Sequence, residues 1–305
     1  MKTLAIIGAG YLQKPLIERA NNMGLRTLCF AWEEGAVCRD LCDVFYPISI
    51  VEKEAILAIC REEKIDGICT IASDVAAPTV AYVAEQMELA GNSYAAALGA
   101  NNKYLMRQAL SGAGVDCPRY VCVHEYDEKA LEYMSFPLIV KPSDRSGSLA
   151  VSKVEDKAQL EVAIKEAVRV SFKGEAMVEE FIDGREISVE MLSCRGKHYA
   201  LQITDKETTG APHFVELAHH QPSNLPAAKQ DEIYAITMRA LDALSLTHGA
   251  SHAEYKITAE GRVVVMEIGG RMGGDFIGSD LVRLSTGYDF VQGVIEVALG
   301  MDVVP

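Results

Sequence analysis

The sequence predicts a protein of mixed α/β and α+β class that begins with a doubly wound, parallel-sheet unit. Through residue 97, short apolar runs alternate with amphipathic stretches, the pattern of strand–helix units whose sheet is covered on both faces. Half of the residues are hydrophobic (49%) and 24% are charged, enough apolar material for a packed core. Near Gly99 the regular alternation gives way to strands, hairpins and turn clusters in mixed order.

The elements follow from local pattern. Residues 4–7 read as a buried strand that runs into Gly8-Ala9-Gly10 and a helix to about Met23. Strands at 27–30, 44–48 and 67–71 and helices at 52–63 and 78–90 complete the first unit. Beyond it, helices are expected at 101–111, 160–170, 228–244 and 289–299. Strands are expected at 137–141, 177–181 and 186–192, and a hairpin from 252–258 and 263–268. Segment 208–226 is rich in turn formers and histidine and reads as a long loop.

At 305 residues the chain is long enough for two domains, or for one large fold with subdomains. Its formal charge of −14 argues against broad electrostatic binding to nucleic acid or anionic membranes, and leaves room for a local phosphate pocket. Eight cysteines show no CxxC pair and read as reduced thiols in a cytoplasmic protein. No apolar run reaches membrane-spanning length.

Several segments carry chemistry. Gly8-Ala9-Gly10 holds two of the three glycines of a dinucleotide fingerprint, with Gln13 in place of the third. This reads as a glycine turn closing a doubly wound unit without a nucleotide. Asn102-Lys103 falls in the helix expected at 101–111. Phe136-Pro137-Leu138-Ile139-Val140-Lys141 ends an apolar strand on a cation, a point charge suited to an anion such as phosphate. The small residues that follow, including Ser146, Gly147 and Ser148, could wrap phosphates with amides and hydroxyls. In the hairpin, a two-residue or four-residue turn sets Glu254 directly opposite Glu267 on one face. Two facing carboxylates repel, and a cation between them relieves the repulsion. A three-residue turn would break the pairing, and Lys256, Arg262 or Arg271 could instead neutralise one of them. Histidines 213, 219, 220 and 252 lack a zinc spacing and read as ordinary loop histidines.

In this order, Lys103, Lys141, Glu179-Glu180-Phe181-Ile182-Asp183-Gly184-Arg185-Glu186, Glu254, Glu267 and Arg271 resemble the ATP-grasp family over nearly the whole chain. The resemblance implies a pre-ATP-grasp domain at 1–98, an ATP-grasp N-lobe with a central lid at 99–175, and a C-lobe with a metal site at 176–305. It implies ATP and Mg2+ as ligands. Lys103, Lys141 and the 146–148 loop would contact phosphate. Glu179 and the backbone of Glu180, Phe181 and Ile182 would hold adenine, and Glu186 the ribose. Glu254 and Glu267 would bind metal, and Arg271 with Lys141 would serve the chemistry. Gly269 stands where family members often carry a metal-binding Asn.

The activity so implied is ligation of a small-molecule carboxylate to an amine or thiol through an acyl phosphate, with release of ADP and phosphate. No nucleic-acid or membrane partner is expected, and the resemblance admits a homodimer. A purine-pathway ligase would need a phosphate pocket built from Gln13, Lys14 and Arg19. A nucleotide-binding protein without catalysis rests on Gly269. An NAD-dependent oxidoreductase rests on Gly8 and Gly10 alone. The chain ends at Pro305, about where many family members begin a further C-terminal domain.

Overall fold

The computed structural model describes residues 1–145, 147, 149–210 and 215–305. The first unit runs β1 (Thr3–Ile7), α1 (Lys14–Asn22), β2 (Arg26–Phe30), β3 (Val44–Tyr46), α2 (Lys53–Glu63), β4 (Gly67–Cys69) and α3 (Ala77–Gln86). Its strands form one parallel sheet in the order β3-β2-β1-β4. Strand β1 is buried along its whole length, as a strand covered on both faces must be. Ala5 and Ile7 pack with Ile56 of α2 and Val83 of α3, while Leu4 and Ile6 pack with Leu16 and Ile17 of α1.

Two antiparallel sheets follow. After α4 (Tyr94–Asn101) and α5 (Lys103–Gly112) come β5 (Tyr120–Val123), α6 (Glu128–Leu131), β6 (Leu138–Pro142), β7 (Ser152–Val154), α7 (Lys157–Val170) and β8 (Ala176–Glu180). These strands pair in the order β5-β8-β6-β7, with α7 packed on one face. Then β9 (Arg185–Cys194), β10 (Lys197–Thr208), β11 (Glu216–His220), α8 (Ala227–Ala243), β12 (Gly249–Ile257) and β13 (Val263–Gly269) build a sheet ordered β11-β10-β9-β12-β13. The chain closes with α9 (Val282–Thr286) and α10 (Phe290–Ala298). Helix α10 returns to the first unit: Val294, Ile295 and Val297 share a core with Leu4, Ile6 and Leu16. It lies so close to β4 that a Cβ on Gly67 would sit 2.5 Å from the Ala298 carbonyl oxygen.

Two expectations are corrected. The segment 208–226 is not one long loop, because residues 216–220 form an edge strand on β10. An edge strand pairs on one side only, so its sequence needs no sustained apolar run. The helix expected at 101–111 is the second of two, broken at Asn102. That residue leaves helical geometry and accepts the Leu105 amide as an N-cap.

Candidate functional site

An open cleft with a volume of about 180 Å³ lies between the two antiparallel sheets. Lys141 and Ile139 line it from β6, Lys206 from β10, and Glu254 and Lys256 from β12. Lys103, Gly147, Phe181, Ile182, Glu186 and Glu267 also border it. Residues from Lys103 to Glu267, scattered in sequence, thus converge on one concave surface. Ser146 and Ser148 lie outside the described residues, as does His213.

Lys141 is nearly buried, and its ammonium sits 2.7 Å from Glu179 Oε2. Glu179 is 1% exposed and does not border the cleft. Its other oxygen accepts from Arg107 Nε at 2.8 Å. Burial opposes ionisation of Glu179, but Arg107 and Lys141 outweigh it and hold the carboxyl down at about 2. Burial pulls the Lys141 pKa below its ordinary value, with Arg107 and Lys103 adding repulsion and Glu179 opposing them. Lys103 donates to the Arg145 carbonyl at 2.7 Å and to Glu267 at 3.2 Å.

The chain leaves β8 through the segment that joins the two sheets. The Glu180 amide donates to the Arg119 carbonyl (2.9 Å) and the Phe181 amide to the Pro137 carbonyl (3.2 Å). The Ile182 amide makes no hydrogen bond among the described residues, and Ile182 borders the cleft. The Glu180 carboxylate turns away toward Arg119 and Arg262. Glu186 pairs with Lys256 at 3.2 Å. Lys153 and Lys256 both lie over the Phe181 ring.

Glu254 and Glu267 are direct partners across β12 and β13, but not through the turn first considered. The connection is a three-residue turn: the Thr258 amide bonds the Arg262 carbonyl, and Gly261 takes a positive φ of 85°. That closure alone pairs Tyr255 with Val265 and would put Met266 opposite Glu254. A bulge at Met266 absorbs one residue and restores the register at Glu267.

Glu254 accepts from Lys206 at 2.8 Å and lies 3.3 Å from His252 Nε2. Glu267 accepts from Lys103. Burial raises the Glu254 pKa, but Lys206 and His252 hold it well below the usual carboxylate range. Burial disfavours charge on Lys206 too, yet Glu254 and Glu216 raise its pKa. His252 is buried against Glu190, which overcomes burial and lifts the imidazole to about 9. The reading of ordinary loop histidines therefore fails for His252, which lies in β12, and for His219 and His220, which lie in β11. Beyond Lys206, ligand atoms of Glu216, His219 and Asp275 lie within 4.8 Å of one another.

Arg271 stands apart from the cleft lining. Its guanidinium grips both oxygens of Asp74, each at 2.7 Å, in the loop after β4. Gly269 has a steric reason: a Cβ there would approach Asp74 Oδ1 to 2.7 Å and Arg271 Nε to 3.2 Å. The Arg271–Asp74 pair occupies space that an Asn side chain would need. In the first unit, Gln13 folds over the glycine turn, accepting from the Gly10 amide (3.1 Å) and donating to the Ile71 carbonyl (2.8 Å). Its side chain fills the approach to Gly8 that a dinucleotide would use. Lys14 lies near Glu18, and Arg19 pairs with Asp289; of the three candidates for a purine-pathway phosphate pocket, only Gln13 borders the hollow at the glycine turn.

Sequence reasoning missed Arg107, Lys206, Asp74 and the Glu190–His252 pair. Their signal lay in charged residues within otherwise apolar segments, such as Arg107 in α5 and Glu190 in β9.

A family model described as an ATP-grasp domain matches residues 134–280. The D-alanine–D-alanine ligase of Geotalea uraniireducens (strain Rf4) is 30% identical over 190 residues, covering 58% of this chain and 58% of the relative. The alanine–anticapsin ligase of Bacillus subtilis (strain 168) is 27% identical over 245 residues, covering 72% of this chain and 51% of the relative. The crystal structure of an L-amino acid ligase from Bacillus licheniformis superposes with a TM-score of 0.85 at 29% identity, covering 98% of this chain and 74% of that one. The chain spans about half the length of the curated relatives it matches. Fold, ordered motifs and these likenesses agree in supporting the ATP-grasp superfamily, whose domain model covers residues 134–280.

Proposed function

We propose that the protein is an ATP-dependent ligase that joins a small-molecule carboxylate to an amine, or to a thiol, through an acyl phosphate. The observation that carries this reading is the convergence of Lys103, Lys141, Glu186, Glu254 and Glu267 on one cleft. Phosphate-directed cations, a diol acceptor and facing carboxylates are what a nucleotide triphosphate needs at its three parts. The proposed division is 1–98, 99–175 and 176–305, with the cleft between the last two.

In this reading the Ile182 amide and the Glu180 carbonyl recognise the adenine edge, Phe181 borders the base, and Glu186 accepts from ribose hydroxyls. Glu179 serves from beneath, holding Lys141 rather than touching adenine. Lys141 and Lys103 contact phosphate, with Gly147 and the neighbouring loop residues 146 and 148 covering it. Glu254 and Glu267 offer only oxygen donors, which suits a hard divalent cation such as Mg2+. When bound, Mg2+ would neutralise charge on the transferring phosphoryl group. Arg271, oriented by Asp74, would stabilise the same charge. The protein's work is to align the carboxylate with the γ-phosphate, exclude water from the acyl phosphate and admit the amine.

The eight free thiols, several deep in the core, suit a reducing cytoplasm. No helix among the described residues is long and apolar enough to cross a membrane. The test is ADP release in pools of carboxylates and amines. Turnover that requires both reactants supports the reading, and Mg-ATP binding should be seen by calorimetry where NAD gives none. Tight NAD binding with no response to ATP would overturn it.

A further inference from the structure

The three-residue turn and the bulge at Met266 have to act together for the two glutamates to meet. Slip by one residue sends alternate side chains to opposite faces, so without the bulge Glu267 would leave the face that carries Glu254. A bulge also costs the strand a ladder partner. Met266 has none across β12, and a backbone carbonyl left without a donor in a shielded place is expensive. That donor comes from Arg107: its Nη2 lies 2.6 Å from the Met266 carbonyl oxygen.

Arg107 is 0% exposed and stands on α5, one turn beyond Lys103. A buried guanidinium is retained only when its fork is filled. Here Nε serves Glu179, which in turn holds Lys141, and Nη2 serves the residue before Glu267. The neighbouring residue of the same strand is also tied down, because the Val265 amide donates to the Asp116 carbonyl at 2.9 Å.

We infer that Arg107 is a positioning residue that pins the Met266 bulge, sets Glu254 and Glu267 face to face, and through Glu179 aims Lys141 at the same cleft. It does not border the cleft itself. One side chain thus couples the phosphate-binding sheet to the cation-binding hairpin. The inference rests on the ligase reading for what the two glutamates bind, but its structural half stands without that reading.

The experiment measures the factor by which Mg2+ tightens ATP binding, by calorimetry with and without the metal, in the full chain. Arg107→Lys keeps the charge but cannot fill both positions of the fork. It should lower that factor by about tenfold, the usual scale for losing a group that orients a metal ligand. Lys141→Met, which leaves the Arg107–Met266 bond in place, should weaken ATP binding to a similar extent with and without Mg2+. Hydrogen exchange gives a readout without nucleotide: amides of residues 263–269 should exchange faster in Arg107→Lys than in wild type.

If Arg107→Lys does not fold, Arg107→Met combined with Glu179→Gln removes both buried charges and takes its place. A folded variant that keeps the wild-type magnesium factor and wild-type protection of 263–269 overturns the inference. Wild-type protein that binds no Mg-ATP overturns the ligase reading instead, and the exchange comparison then decides the role of Arg107 alone.

Discussion

Replacing Lys141 by Met keeps an unbranched apolar stem in the wall of the cleft and removes only the cation. The ammonium is nearly buried and 2.7 Å from Glu179, so its lost partner is not replaced by water at no cost. If it donates a charged hydrogen bond to phosphate, its removal should weaken ATP binding by about 1.5–3 kcal/mol. That corresponds to a Kd roughly 10- to 150-fold higher. Adenosine should bind both proteins alike, because the base and ribose contacts lie at residues 180–186. Glu179 keeps Arg107 as partner, so the variant should remain folded. The pH dependence follows from burial, reinforced by Arg107 and Lys103, which lowers the Lys141 pKa. The cation is present below that value, so ATP affinity should fall on the alkaline side, sooner than an ordinary lysine would allow. Lys141→Arg should carry binding to higher pH. Calorimetric titrations of ATP and adenosine across pH check all three statements. ATP affinity within twofold of wild type in a folded Lys141→Met protein would refute the phosphate role, as would equal losses for ATP and adenosine.

Glu267→Gln keeps the shape of the hairpin and removes one carboxylate charge. Turnover measured by ADP release should drop by about 10²-fold or more, the scale of charge stabilisation at a transferring phosphoryl group, while ATP affinity changes less. Glu179→Gln should cost stability. Burial raises the Glu179 carboxyl, but Arg107 and Lys141 outweigh it and hold it at about 2, below its ordinary value, so its charge contributes stability at neutral pH. Because the folded pKa is depressed, that contribution is present above pH 4.5 and is lost as pH falls through about 2. Urea unfolding followed by circular dichroism should therefore show a lower midpoint at pH 7 and a flatter acid limb; an unchanged midpoint counts against the buried triad. Gly67→Ala places a methyl against the Ala298 carbonyl and should lower stability by about 1–3 kcal/mol, read as a lower Tm with ATP affinity intact.

What the sequence made legible was local. A cation at the end of an apolar strand, a helix that carries Lys103, and two glutamates in one hairpin can be read from neighbours along the chain. Their convergence on one cleft came through the ordered resemblance. The hairpin shows where such reading stops. Glu254 does face Glu267, but through an odd turn compensated by a bulge, and the bulge depends on Arg107, 159 residues away in sequence. Lys206, Asp74 and Glu190 were invisible for the same reason: each has its principal partner on a different element. Gly269 was legible as a departure and not as a cause, since the Asp74–Arg271 pair that fills its space joins the first unit to the last hairpin.

Helix α10 carries a consequence for how the protein is made. Residues 290–298 complete one face of a sheet whose first strand is Thr3–Ile7. On a ribosome the opening strands emerge long before their cover, so Leu4, Ile6, Leu16 and Ile17 must wait for nearly the whole chain. The usual course, in which the leading domain finishes before the next is synthesised, is closed to this one. A nascent chain halted before residue 290 should display that apolar face to chaperones, and proteins truncated before α10 should aggregate even though every residue of the candidate cleft is present.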